Sequence, residues 1–309
     1  MGAHSSMKRV LLAASSVAVS AIILTVLRNF GSGVASSLVE QPLRPLPPRP
    51  TTSGANVGHG VHSDWGRLMP PETGDAIFLW LNEVLPKPWG EVLDAGTGPD
   101  SLKWLARGPA KSITAVTAST GMQATVTDEV SRHLHPKYDS VVVGNWNDAT
   151  FLSGKSFDIV LADYLLGAVD YYAPHFQAGL IRRLRGVMRP GSLLAIVGRE
   201  PEDLTAKDKT SHLILDVDAL RDATFVLGRR RPYREIPAWW VRERVAVLGL
   251  HTVASQTFPR RVTTEKIRRQ LSWAQEELAR VPDVNLKASL RKHLESLRAR
   301  VERSGQLRR

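Results

Sequence analysis

Hydrophobic positions fall into three textures along the chain. Residues 10–27 run for eighteen positions without a charge. From about residue 70, short apolar runs at 92–93, 113–116, 140–143, 159–162 and 193–197 alternate with segments of helical period at 101–107, 122–134 and 173–188. The runs predict strands and the intervening segments predict helices. Ahead of them, Ile77, Leu79, Trp80, Leu81, Val84 and Leu85 give a further helix a broad apolar face, which Pro86 closes. In the third texture, Ile267, Leu271, Ala274, Leu278 and Val281 recur at four-three spacing. Leu286, Leu290, Leu294, Leu297 and Val301 follow nearly the same rule beyond Pro282. Two helices joined by a tight turn form a helical hairpin.

Short strands alternating with helices predict an α/β fold: a doubly wound, mainly parallel sheet covered by helices on both faces. Ligands in such sheets bind outside the carboxyl ends of the strands. The apolar stretch 10–27, with Lys8 and Arg9 before it and Arg28 after it, has the length of a short membrane-spanning helix. A single-pass N-terminal anchor in a membrane is therefore expected. The other reading is a cleaved targeting peptide for a mitochondrion or plastid, since serines are frequent and the first acidic residue is Glu40. Pro42, Pro45, Pro47, Pro48 and Pro50 then mark a linker. The expected organisation is an anchor or targeting segment over 1–40, a linker over 41–60, the α/β domain over 61–260 and the helical hairpin over 261–309.

Composition changes this picture little, and charge changes it locally. The chain lacks cysteine, so disulfides, thiol nucleophiles and cysteine-held metals are excluded. The nine histidines are scattered, and no metal site is expected. Net charge is +11. Residues 260–309 hold fourteen Lys/Arg against six Asp/Glu, so most of the excess sits on the hairpin. Its polar faces could contact RNA or anionic lipid, or simply be solvated.

The chemistry-bearing segment is 91–105. An apolar strand stops at Asp94, and Gly96 and Gly98 follow at alternate positions before a helix begins. Glycines there let the backbone turn and approach a ligand closely. The third glycine of a dinucleotide fingerprint falls on Ser101, which weakens a dinucleotide reading.

Asp94-Ala95-Gly96-Thr97-Gly98 resembles motif I of the class I S-adenosylmethionine-dependent methyltransferases. Residues 156–164, ending at Asp163 and Tyr164, resemble motif IV, and 184–194, with Pro190 and Gly191, resemble the helix, turn and strand that follow. The resemblance implies S-adenosylmethionine as cofactor, with Gly96 and Gly98 against its methionine portion and Asp94 nearby. Asp94, Gly96, Thr97, Gly98, Thr117, Asn145, Trp146 and Asp163 are the cofactor-binding candidates it suggests. Trp146 either stacks on the adenine or plugs the core edge.

Two departures stand out. The second strand of the family usually ends in an acid that binds the ribose, but here it runs to Thr117 and Ser119 without a carboxylate. The family also finishes with an antiparallel hairpin; residues 251–258 supply one strand, and its partner is missing or displaced. Asp163, Tyr164 and His175 are the catalytic candidates, each with a plainer structural role beside it. The segment 212–247, with Arg229, Arg230, Arg231, Tyr233, Trp239 and Trp240, reads as a lid that binds an anionic acceptor or a base, or as a basic turn before two buried tryptophans. Methyl transfer to a small-molecule or lipid-like acceptor is the leading expectation. A protein or RNA methyltransferase, or a non-catalytic binding protein of the same fold, are the others.

Overall fold

The computed structural model describes residues 21–29, 75–201, 209–259 and 262–306. The chain forms two compact units. The larger, residues 21–201 and 231–258, is built on a seven-stranded sheet. Its strands are β1 (Ala21–Asn29), β2 (Gly90–Asp94), β3 (Ala110–Thr117), β4 (Ser140–Val143), β5 (Phe157–Asp163), β6 (Met188–Arg199) and β7 (Leu250–Pro259). They lie in the order β4-β3-β2-β5-β6-β1-β7. The five strands from β4 to β6 are parallel, and β1 runs antiparallel to β6.

The parallel strands are apolar on both sides, which explains their near-continuous hydrophobic runs. Val92, Ile113, Ala115, Ile159, Leu161, Leu193, Ala195 and Val197 share one face. They pack on α1 (Ala76–Val84), α2 (Pro99–Arg107) and α3 (Thr120–Val130), with Trp89 and Trp104 in the same core. Leu93, Val116, Val160, Ala162, Leu194 and Ile196 share the other. They meet α4 (Leu165–Tyr172), α5 (Gln177–Gly186) and α7 (Ala238–Val247). The alternation of consecutive residues between the two lists is the two-residue period of a strand. One helix expected over 173–188 is shorter: α5 begins at Gln177, and Met188 already belongs to β6. Pro174 lies in the break after α4.

The N-terminal expectation is corrected. Residues 21–29 are a strand that pairs with β6 from Ile22↔Arg199 to Arg28↔Leu193, so a spanning helix over 10–27 is not formed. Among the described residues no helix is long and apolar enough to cross a membrane, and the membrane contact assigned to 10–27 loses its basis. Ile22, Ile23, Thr25 and Val26 are β-branched and suit a strand. A sheet ladder waiting at β6 decides between strand and helix where an apolar run alone does not. Placed between β6 and β7, β1 also fills the position for which the C-terminal residues offered no strand. Residues 10–20 and the linker 41–60 lie outside the described residues.

The described part of the smaller unit is three helices: α6 (Lys209–Leu227), α8 (Thr264–Leu278) and α9 (Val284–Gln306). Leu213, Val217 and Leu220 of α6 pack with Leu271, Ala274 and Leu278 of α8 and Leu294, Leu297 and Val301 of α9. Much of the lid expected over 212–247 is therefore a packed bundle helix. Its apolar spacing is blurred by Asp216, Asp218, Arg221 and Asp222, which are used in ion pairs. Arg221 binds Asp218, Asp222 and Gln270, and Arg300 binds Asp216.

Candidate functional site

The chain runs outward from β2 through β3 to β4 and then returns to place β5 on the other side of β2. That reversal opens a crevice at the carboxyl ends of the strands, the position where open α/β sheets bind ligands. A cavity lies there. Its walls are Ala95, Gly96 and Thr97 after β2, Thr117 and Ala118 at the end of β3, Gly144, Asn145 and Trp146 after β4, and Asp163, Tyr164 and Leu165 at the end of β5. Ala168, Val169 and Tyr172 of α4 and Tyr233 complete it. About 680 Å³ of space lies between these atoms, open mouth included.

The loop after β2 is fixed by its neighbours. Ala95 N–H donates to Leu161 O at 2.8 Å, Thr97 N–H to Val116 O at 2.7 Å, and the Trp146 indole Nε1–H to Ala95 O at 2.7 Å. Trp146 is buried and meets Phe151 edge-on at 5.5 Å. Its polar edge holds the glycine loop, and the residue also lines the cavity. A Cβ on Gly96 would lie 2.7 Å from Leu165 Cδ1, so any side chain here would have to displace that of Leu165. Gly98 differs. It caps α2 with ordinary extended dihedrals, and a Cβ there would meet nothing within 4 Å. No internal contact requires that glycine.

Asp94 stands behind the wall, fully buried, where its Oδ2 accepts from Ser101 Oγ at 2.8 Å. The Ser101 hydroxyl oxygen also accepts from Gly98 N–H at 3.2 Å, which ties the acid to the start of α2. Serine in place of the third glycine thus has a job. Asp94 Oδ1 and Thr97 Oγ1 are buried without a completed hydrogen bond. Burial pushes the Asp94 carboxyl up to about 6, partly offset by the Thr97 and Ser101 hydroxyls and the Gly96 backbone. Asp163 faces the cavity; burial pushes it up to about 8, with the charges of Asp94, Asp75 and Asp100 adding to the effect. The cavity is therefore acidic and poorly compensated. Tyr164, next along, holds a left-handed conformation at φ 50°. Such strain costs about 1–3 kcal/mol and collects at functional sites.

This acidity has a measurable consequence. Both carboxyls hold protons more tightly folded than unfolded, where the ordinary value is 3.8. Their contribution to stability is full below about pH 4 and is lost as pH rises through about 6 for Asp94 and about 8 for Asp163. Asp163→Asn cannot ionise, so its melting temperature is expected to exceed that of the wild type at about pH 8 and to match it near pH 4. A variant that melts below the wild type at about pH 8 would contradict the burial of this charge.

The other candidates are placed as follows. Thr117 lines the cavity, and its Oγ1 accepts from Ser119 N–H at 3.1 Å, while Ser119 caps α3. Neither hydroxyl replaces a carboxylate, but the Thr117 proton can still be donated. Asn145 also lines the cavity and donates from Nδ2 to Tyr172 O at 2.9 Å. His175 is outside the wall. Its backbone N–H donates to Asp170 Oδ1 at 2.8 Å, and its Nε2 sits 3.1 Å from Arg231. It belongs to a structural cluster, not to a base in the cavity.

Sequence reasoning missed Tyr172 and Asp170 and read Tyr233 only as part of a lid. Asp170 is fully buried and binds Arg231 Nε at 3.0 Å and Arg234 Nε at 3.5 Å. Burial opposes its charge, but the His175 N–H, Arg231 and Gln177 together hold its carboxyl below the ordinary value. Arg234 N–H also donates to Gly167 O at 3.1 Å. Tyr233, between the two arginines, is thereby pinned over α4. The two tryptophans expected to be buried are not alike: Trp239 is exposed, and Trp240 is half-buried with Arg244 at 5.4 Å over its ring.

Fold and site together define a doubly wound α/β protein with a ligand-type crevice at the carboxyl edge of its sheet. The sequence matches no family model and no curated protein. Similar solved structures include a candidate methyltransferase from Bacillus halodurans C-125, at 14% identity over 69% of this chain and 81% of that one, with a TM-score of 0.48. The cyclopropane synthase MmaA2 from Mycobacterium tuberculosis is 16% identical over 73% and 77%, with a TM-score of 0.41. An O-methyltransferase family protein from Burkholderia thailandensis is 18% identical over 53% and 46%, with a TM-score of 0.40. The match thus spans about half the length of the last of these.

Proposed function

We propose that the chain binds S-adenosylmethionine in the cavity at the β2/β5 reversal and transfers its methyl group to a small-molecule or lipid-like acceptor. The observation that carries this reading is the wall itself: a glycine loop tied down by Trp146, with acid at and behind it and, among the described residues, no Lys, Arg or His side chain lining it. A dinucleotide pyrophosphate would find no cation there, whereas a sulfonium finds acid.

Gly96 and Thr97 would hold the methionine portion by their backbone, and Thr117 and Asn145 the nucleoside by their polar groups. When bound, the cofactor supplies an electrophilic methyl carbon. Asp163 and Tyr164, at the end of β5, orient the acceptor, and Asp163 takes its proton. Calorimetric titration of the full chain with S-adenosylmethionine tests this reading. Micromolar binding is expected, and no heat at millimolar cofactor would sink it.

A second reading, an RNA acceptor, rests on Lys266, Arg291, Lys292 and Arg303 of α8 and α9, which make no ion pair among the described residues. Anionic lipid would meet the same groups. RNA binding that weakens steeply between about 50 and 200 mM salt would favour it.

A further inference from the structure

The open side of the cavity is aromatic. Tyr164, Tyr172 and Tyr233 all line it, and Tyr172 and Tyr233 are the exposed ones, at 38% and 54%. Tyr171 stands edge-on to both, 4.8 Å from Tyr172 at 71° and 6.2 Å from Tyr233 at 76°, and so braces the pair. Asp163 lines the same space, and among the described residues no Lys, Arg or His lines the wall. The arginines on either side of Tyr233 are engaged elsewhere, since Arg231 and Arg234 both turn to Asp170.

Each class of acceptor meets this wall differently. A carboxylate or phosphate would approach an acid with no cation to receive it. A neutral alcohol would gain contact area alone. A cation would meet tyrosine rings, whose faces attract positive charge, and a carboxylate beyond them.

We propose that the methyl acceptor is an amine, received as its ammonium form by the rings of Tyr172 and Tyr233 and delivered to Asp163. The proposal rests on the methyl-transfer reading of this cavity. Burial raises the Asp163 carboxyl and a cation beside it opposes that rise; once ionised, Asp163 takes one proton from the ammonium, which exposes the nitrogen lone pair. That pair forms the new N–C bond as the S–C bond breaks and its electrons return to sulfur. The product is a methylated ammonium that carries the positive charge the sulfonium has lost, so charge and atoms balance. Asp170 is a positioning residue here, acting through Arg231 and Arg234 to hold Tyr233 in place.

Three probes of one shape and different charge test this: tetramethylammonium, tert-butanol and pivalate. Each is titrated into the full chain saturated with S-adenosylhomocysteine, and binding is read by ligand saturation-transfer NMR. Tetramethylammonium is expected to bind at least tenfold more tightly than tert-butanol, and pivalate to give no signal. Tyr172→Leu and Tyr233→Leu should each weaken the cation about fivefold, and Tyr233→Phe should keep most of the affinity; melting curves verify that each variant is folded. Equal binding of cation and alcohol, a preference for pivalate, no cation binding, or indifference to both leucine substitutions overturns the amine assignment and leaves methyl transfer standing. If S-adenosylhomocysteine itself gives no calorimetric heat, both readings fall.

Discussion

Asp94→Ala is expected to weaken S-adenosylmethionine binding about a hundredfold while leaving the melting temperature near that of the wild type at neutral pH. The two effects separate because Asp94 has no place in the cavity wall, yet stands one layer behind it, fully buried. Burial opposes its charge and pushes its carboxyl up to about 6. In the empty protein at pH 7 that charge costs stability, so its removal offsets the loss of the Ser101 hydrogen bond. Binding responds in the opposite sense. A carboxylate a few ångströms behind a bound cation, at an effective dielectric near 20, is worth roughly 2–3 kcal/mol, which is about a hundredfold in affinity. Ser101→Ala removes one hydrogen bond and keeps the charge, so a loss of about fivefold is expected. Calorimetry on both variants, with melting curves beside it, checks the order. Equal losses would mean that Asp94 acts only by tying down α2, and unchanged affinity in Asp94→Ala would remove the cofactor from this end of β2.

The loop after β2 was legible because its constraints are local. A strand that ends at Asp94, two glycines at alternate positions and a helix starting at Pro99 can be read from nine consecutive residues. The end of β5 was legible for the same reason, since Phe157–Asp163 is an apolar run stopped by an acid. What was not legible depended on partners far along the chain. The bond from the Trp146 indole N–H to Ala95 O joins positions fifty-one apart and has no local signal. His175 looks like a base until Asp170 and the distant Arg231 are seen around it. Tyr172 gives no signal of its own, because a tyrosine near a helix end is ordinary until the loop at 231–234 folds beside it. The apolar stretch before residue 30 is the largest case. Its length suggested a membrane, and only the ladder on β6 makes part of it a strand.

A chain starting at residue 30 is expected to lose cooperative unfolding or to melt far below the full chain. β1 is an inner strand, placed between β6 and β7, and its residues Ile22 to Arg28 face seven residues of β6 in unbroken register. Seven ladder positions at about 0.5–1.5 kcal/mol each amount to roughly 4–10 kcal/mol, before any side-chain burial. The whole stability of a domain is about 5–15 kcal/mol, so little would remain. Removal also leaves β7 without the neighbour that joins it to the sheet, and exposes β6 as a long apolar edge prone to association. A point substitution separates loss of the strand from loss of the preceding residues. Thr25 pairs with Ile196 in the middle of the ladder, and Thr25→Pro, which removes a donor and fixes φ, should reproduce much of the loss in the full chain. Thermal melts and hydrogen exchange of the β6 amides provide the readout, with fast exchange of residues 193–199 expected in both proteins. If the shortened chain melts like the full one and protects those amides, β1 is dispensable to the sheet. If it does not, processing of this protein by cleavage beyond residue 29 is incompatible with the folded domain, because the cut would remove a strand that the sheet needs.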